Sequence, residues 1–274
     1  MSLNPITPDS PDGGLLAIAL EAAGRAGRLL HEGRPADLGV AATKTSPIDV
    51  VTEMDLAAEK LITEVITGHR PDDAILGEEG GASGGTSGVR WVVDPLDGTV
   101  NYLYGLPQWA VSVAAEVDGE TAVGVVAAPT RGETYQAVRG QGAWLLREGA
   151  EPERLRCRPS PPLDQALVGT GFNYVAEVRA EQAEQVRQLV PRVRDIRRSG
   201  SAAIDLCDVA CGRLDAYYER GLNPWDLAAG ELIAREAGAV TGGRPGRKPD
   251  GELTIAASPG LFGGLRELLV SLGA

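Results

Sequence analysis

Two different periodicities divide the chain, and together they limit the folds open to it. From residue 109 apolar and small residues recur as in paired strands, "WAVSVAAEV" and "TAVGVVAAP", around Asp118-Gly119. Two such runs joined by Asp-Gly read as a hairpin. "ETYQAV" and "AWLL" extend the same antiparallel sheet. After about residue 150 the texture changes. The charged, proline-rich "EGAEPERLRCRPSPPLD" reads as a connection between two lobes. Beyond it strands and helices alternate: strand "ALVGTGF", a helix over 177–190, strand "RDIRR", and a helix "SAAIDLCDVACG" capped by Ser201 and closed by Gly212. Strand "LDAYYE", a helix "WDLAAGELIAREAG" ended by Gly238, strand "LTIAAS" and a helix over 261–272 complete this half.

The first hundred residues add helices to the hairpin sheet. Residues 15–32 carry apolar positions at helical spacing, with Gly33 and Pro35 as stop signals. "AATKTSPIDVV" is extended or turning, and Thr52 then opens a second helix through the cap "TEMD". Ala58, Leu61, Ile62, Val65 and Ile66 form its apolar stripe, and Gly68 is its expected end. A short strand at 74–76 runs into "GEEGG", 82–88 reads as a flexible loop, and 89–93 is a strand. The pattern predicts a flexible tail over 1–14, an α+β lobe with an antiparallel sheet over 15–150, and an α/β lobe over 151–274. No internal repeat or low-complexity tract interrupts it.

Composition narrows the function. A chain of 274 residues with 43% hydrophobic content can bury a real core. A formal net charge of −12 argues against a surface built for nucleic acid or anionic membrane. No apolar run reaches the roughly 18 residues of a membrane span. Cys157, Cys207 and Cys211 make an odd count without a CxxC pair, and no secretory leader is legible, so a cytoplasmic setting is expected. The cysteines read as small buried apolar residues.

The chemistry-bearing residues are acids at the ends of elements. Asp49 precedes the second helix, Glu78 and Glu79 follow a short strand, Asp94 and Asp97 follow another, and Asp226 opens a helix. Singly, Asp-Gly is a turn, Glu-Glu a solvated surface and a helix-start Asp a cap. Together they can converge on one sheet edge and hold a hard divalent cation, with Pro95 stiffening the turn between Asp94 and Asp97. His31 and His69 sit at helix C-termini, where a cation suits the dipole. No P-loop and no nucleophile elbow is present. The D-x-D-x-T strand end of haloacid-dehalogenase-type phosphatases is a rival, but D-P-L-D-G-T carries one residue more between its acids. What remains is metal-assisted chemistry on an anionic substrate.

"GEE" at 77–79, "DPLDGTVNY" at 94–102 and "NPWDLAAG" at 223–230 resemble the inositol monophosphatase family in sequence and order. "SPIDVVTEMD" at 46–55 and "GSAAIDL" at 200–206 are similar to further segments of it. The resemblance implies the five-layered α-β-α-β-α sandwich of the inositol monophosphatase and fructose-1,6-bisphosphatase type, a homodimer, two to three Mg2+ ions per site and inhibition by Li+. It implies Glu78, Asp94, Asp97, Asp226 and the Leu96 carbonyl as metal ligands, and Glu78, Asp49 and Thr99 as the catalytic set, the last two orienting and deprotonating the attacking water. Asp97, Gly98, Thr99, Gly200, Ser201, Ala202, Glu219 and Asp226 would contact substrate, Gly98 and Thr99 through backbone amides to phosphate. Lys44 sits where the family often has a lysine near the site's mouth.

The implied activity is hydrolysis of a small phosphate monoester, inositol 1-phosphate first, by attack of a metal-activated water. Histidinol phosphate, fructose 1,6-bisphosphate and phosphoadenosine phosphate are alternatives that the same motifs serve. "LVGTGFNY" at 167–174 and the missing Asn-Gly after "GAWLL" depart from the family pattern where the alcohol is read. Glu219 suits a neutral polyol that donates hydroxyls. Arg192, Arg194, Arg197 and Arg198 form a basic cluster, read as a solvated or dimer-facing surface or as a steering element. A different class of function, partnership with transcription or RNA-processing machinery, is the second reading.

Overall fold

The computed structural model describes residues 12–35, 37–43 and 50–274. Helix α1 (Gly13–Gly33) puts Leu16, Ala19, Ala23, Ala26 and Leu30 on its buried face. It begins two residues inside the stretch expected to be a tail; residues 1–11 lie outside the described residues. The two-residue strands β1 (Ala42–Thr43) and β2 (Val50–Val51) pair antiparallel. Helix α2 (Glu53–His69) starts as expected at Thr52, whose Oγ1 accepts from the Met54 amide while Asp55 Oδ2 accepts from the Thr52 amide. It runs one residue past Gly68.

Strands β3 (Ala74–Gly77), β4 (Gly81–Ser83), β5 (Val89–Asp97), β6 (Ala110–Val117), β7 (Glu120–Ala128), β8 (Glu133–Val138), β9 (Ala143–Arg147) and β10 (Glu153–Arg154) form an eight-stranded sheet. Its order is β10-β9-β8-β7-β6-β5-β3-β4. Every pairing is antiparallel except β3 with β5. The short helix α3 (Thr99–Leu103), which the sequence pattern did not signal, follows β5. The glycine- and serine-rich stretch expected to be a flexible loop is tied down at both ends. Its start forms β4, the amides of Thr86 and Ser87 donate to the Asp72 carbonyl, and Ser87 Oγ donates to Asp73 Oδ1 at 2.6 Å. These small polar residues stay exposed, and hydrogen bonds hold them.

The second half builds a five-stranded sheet from β11 (Leu167–Thr170), β12 (Asp195–Arg197), β13 (Ala216–Glu219), β14 (Val240–Gly242) and β15 (Thr254–Ala257), in the order β12-β11-β13-β15-β14. Its helices are α4 (Ala176–Leu189), α5 (Ala202–Ala210), α6 (Pro224–Glu236) and α7 (Pro259–Ser271). Helices α1 and α2 cover one face of the large sheet, where Leu16, Leu30, Ile62, Trp91 and Val113 share one core. Helices α5 and α6 fill the space between the sheets. Ile204, Cys207, Leu232 and Ile233 pack on the large sheet, while Leu206, Val209 and Ala234 pack with Tyr217 and Ala256 of the small one. Helix α7 closes the far side through Leu261, Leu265 and Leu269.

The result is the five-layered α-β-α-β-α order. Because α5 and α6 are apolar on both faces, they join the two sheets through one shared middle layer, while α1 and α2 cover the outer face of the large sheet and α7 that of the small one. Of the cysteines, Cys207 is buried as expected, whereas Cys157 and Cys211 are only partly so. Among the described residues no helix is long and apolar enough to cross a membrane.

Candidate active site

Parallel pairing of β3 with β5 sets Gly77 opposite Val93, so Glu78 and Asp94 emerge side by side at the carboxyl ends of adjacent strands. Asp94 and Asp97 raise a geometric problem, since residues three apart on a regular strand point to opposite faces. The structure resolves it with an irregularity: Asp94 pairs with Ser112 but Asp97 with Ala110, so three steps on β5 span two on β6. The extra residue at Pro95-Leu96 is a bulge, which turns both carboxylates toward one cleft. The residue that sets D-P-L-D-G-T apart from D-x-D-x-T is this bulge. Gly98 follows at φ +93°, where a Cβ would also lie 2.8 Å from the Gln108 carbonyl oxygen.

The second half supplies the facing wall. Asp97 Oδ2 accepts from Ser201 Oγ at 2.5 Å and from the Ala203 amide at 2.7 Å, which joins β5 to the start of α5. Asn101 Nδ2 donates to the carbonyls of Gln108 and Ser199, fixing the approach to Gly200. Asp226 caps its own helix, with Oδ2 accepting from the Asn223 amide at 2.6 Å, and it also lines the cleft. The bland cap reading is therefore correct for one of its oxygens. Asp94 Oδ1 likewise accepts from the Leu96 amide.

These elements enclose a cleft of about 280 Å³. Glu78, Asp94, Leu96, Asp97, Gly98 and Thr99 line it from the first half. Gly200, Ser201, Ala202, Glu219 and Asp226 line it from the second. Asp49 and Lys44 lie outside the described residues. Thr99 Oγ1 sits 2.9 Å from Asp55 Oδ1 and 3.0 Å from the Leu96 carbonyl oxygen, so its single proton has two acceptors.

Crowding of acids decides the electrostatics. Burial, and then the charges of Glu78, Asp97 and Asp226, push the Asp94 carboxyl well above the usual range. Burial and the Asp97 charge do the same to Asp226. Asp97 rises to about 6 through burial, against the pull of Ser201 and the α5 amides. Carboxylates that penalise one another's ionisation suit a divalent cation, which would reverse the sign of every one of these interactions. Among the described residues no group of three or more such side chains is already drawn into a closed metal cage. Asp94, Asp97 and Asp226 each direct one oxygen to a protein donor. The donor set, carboxylates with a nearby backbone carbonyl at Leu96, fits a hard ion such as Mg2+.

Of the remaining lining residues, Asp205 carried no assignment from the sequence. Asp205, in the "GSAAIDL" segment, is buried on the cleft wall, and burial raises its carboxyl well above normal. Phe172, Asn173 and Tyr174 complete the pocket from the loop after β11. Arg198 is the member of the basic cluster that reaches the cleft; Arg194 and Arg197 bond instead to Gln165 and Asp195. Glu219 is raised to about 7 by burial, although the Tyr217 hydroxyl, donating to it at 2.5 Å, and Arg198 oppose the shift. Asp55 and Glu59 lie behind the cleft. The helical period was the missed signal, because both acids fall on the buried stripe that holds Ala58, Ile62 and Ile66.

Comparison with known proteins agrees with this architecture. The family model described as "Inositol monophosphatase family" matches residues 14–271. Inositol-1-monophosphatase SuhB of Mycobacterium tuberculosis is 47% identical over 240 residues, 85% of this chain and 81% of that protein. Nus factor SuhB of Escherichia coli is 43% identical over 228 residues, 82% of this chain and 84% of its own length. The solved Mycobacterium tuberculosis SuhB superposes with a TM-score of 0.82 over 96% of this chain and 98% of that one, at 42% identity. The Thermotoga maritima IMPase gives 0.84 over 94% and 98%, at 30% identity. A cleft of buried acids at the ends of paired strands, held within this layer order and matched along nearly the whole chain, makes the protein a member of the inositol monophosphatase family, a phosphoric monoester hydrolase.

Proposed function

We propose that the protein hydrolyses inositol 1-phosphate to inositol and phosphate, with two to three Mg2+ ions held by Glu78, Asp94, Asp97, Asp226 and the Leu96 carbonyl. The observation that carries this reading is the charge of the cleft. Six acids line it, Glu78, Asp94, Asp97, Asp205, Glu219 and Asp226, against two arginines, Arg198 and Arg220. Divalent cations would balance that excess and admit a phosphate dianion that the bare cleft would repel. Bound there, Mg2+ supplies charge neutralisation of the phosphoryl group and a more acidic water.

The chain's own residues would do the rest. Thr99, held by Asp55, and Asp49 would orient the attacking water beside Glu78, and the amides of Gly98 and Thr99 would bind phosphate oxygens. Glu219, fixed by Tyr217, would accept hydrogen bonds from ring hydroxyls together with Gly200, Ser201 and Ala202 at the α5 start. Lys44 would stand at the mouth. A second phosphate on the substrate would meet Glu219 and Asp205, which favours a neutral polyol over fructose 1,6-bisphosphate or phosphoadenosine phosphate. A cytoplasmic homodimer belongs to the same reading. A non-catalytic partner role beside transcription or RNA-processing machinery is the second reading, favoured by the name of the Escherichia coli relative; a net charge of −12 argues against direct RNA contact.

The test is phosphate release across phosphorylated metabolites with and without Mg2+, using wild type and Asp97→Asn. Inositol 1-phosphate should be turned over fastest, only with Mg2+, and the variant should lose nearly all activity. Wild-type-like turnover by Asp97→Asn would sink the metal assignment. A pull-down with the inactive variant separates a partner role from catalysis.

A further inference from the structure

Two acids of α2 stand behind the site without entering it. Glu59 is buried at 8% exposure, and its carboxylate accepts from the amides of Glu79 (2.8 Å) and Gly80 (2.5 Å). Those are the two amides that follow Glu78. The fit is close, since a Cβ at Gly77 would lie 2.7 Å from Glu59 Oε2 and one at Gly80 would lie 2.6 Å from Oε1. One turn earlier on the same face, Asp55 is fully buried and bonds Thr99 through Oδ1 and the Thr52 amide through Oδ2. Residues four apart share a helix face, so one rigid helix braces both the Glu78 turn and Thr99.

We infer that Glu59 is a positioning residue for the phosphatase reaction, holding the turn that carries Glu78 at the height Mg2+ requires, with Asp55 as its counterpart behind Thr99. The inference rests on the proposed metal role of Glu78. Two backbone N–H donors converging on one carboxylate make strong, charge-assisted bonds, and they fix the turn from the side opposite the cleft. Groups that orient a ligand in this way typically change metal affinity by about 10- to 100-fold when altered.

The experiment is Mg2+ binding to the metal-free protein by calorimetry, with amide hydrogen exchange at Glu79 and Gly80, on wild type and Glu59→Gln. Glutamine keeps the volume but turns an NH2 toward one of the two amides. Expected are faster exchange at both amides and a Mg2+ midpoint raised about tenfold. In phosphate release, activity at saturating Mg2+ should recover much of the wild-type rate. Gly80→Ala, at an exposed position, displaces the same carboxylate without altering α2 and should reproduce the shift. Ile62→Val, buried on the same helix, controls for general destabilisation: it should lower Tm and leave the Mg2+ midpoint in place. An unchanged midpoint in both Glu59→Gln and Gly80→Ala overturns the inference, as does an equal shift in Ile62→Val. Failure of wild type to bind Mg2+ would instead overturn the metal reading itself, and only the wild-type arm reports that.

Discussion

Gly171→Ala separates reading of the alcohol from the chemistry on phosphate. Gly171 lies just past β11, next to the end of β13, because Thr170 pairs with Tyr218. A methyl at Gly171 would overlap the Glu219 carboxylate, and the backbone there is not in the left-handed region, so the effect is one of space alone. The group in the way is the tip of a flexible side chain, which can swing aside more cheaply than a strand can move. Overpacking of this kind costs roughly 1–3 kcal/mol of stability, and the lower end is expected here. The functional loss should be larger than that lower end. A displaced Glu219 gives up the Tyr217 hydroxyl and would lose the bonds to substrate hydroxyls proposed for it, each charge-assisted contact being worth roughly 1.5–3 kcal/mol. At about 1.4 kcal/mol per tenfold, kcat/KM on inositol 1-phosphate should fall about 10- to 100-fold. p-Nitrophenyl phosphate has no ring hydroxyls and should fall much less. Phosphate release from both esters at saturating Mg2+, with thermal unfolding alongside, reads all three quantities. In a Glu219→Ala background the same glycine change should add little, since the carboxylate it displaces is gone. An equal loss on both esters would place Glu219 in the catalytic machinery. Full additivity with Glu219→Ala would refute the steric argument.

Two further outcomes follow from the same structure. Gly98→Ala should cost about 2–4 kcal/mol in urea unfolding, because it adds backbone strain at φ +93° to a close approach to the Gln108 carbonyl, and activity should fall as Asp97 and Thr99 shift. Burial alone would raise the Glu133 carboxyl, but hydrogen bonds from Arg213 and Tyr135 and the Arg213 charge outweigh it and hold the group at about 2, below an ordinary 4.5. Its folded form thus binds fewer protons than its unfolded form in that window. The stability it contributes, on the order of 2–3 kcal/mol, is present above pH 4.5 and lost as pH falls toward 2. Glu133→Gln should therefore be less stable than wild type at pH 7, with the gap narrowing from pH 4.5 downward and closing only as pH approaches 2 in chemical denaturation, and a gap that does not narrow would count against the network.

Local chemistry made much of this protein legible before its structure. Alternation around Asp118-Gly119 announced β6 and β7, Thr52 and Ser201 announced α2 and α5, and acids at strand and helix ends announced side chains that line one cleft. Such signals depend on neighbours within a few residues, so a chain read in one dimension contains them. Other features depend on partners far along the chain. The register of β3 against β5 brings Glu78 beside Asp94, and the bulge at Pro95-Leu96 decides that Asp97 faces the same way. The contact of Asp97 with Ser201 and Ala203 joins residues more than a hundred positions apart. The roles of Asp55 and Glu59 were hidden for the same reason. A helical period places an acid on a buried face, but only packing of α2 against the Glu78 turn and Thr99 supplies the donors that make burial tolerable. The sequence by itself determined which residues could carry charge into the interior; the tertiary structure decided which of those charges meet in the cleft and which brace it from behind, because a buried carboxylate is stable only where distant segments bring it a donor or a cation.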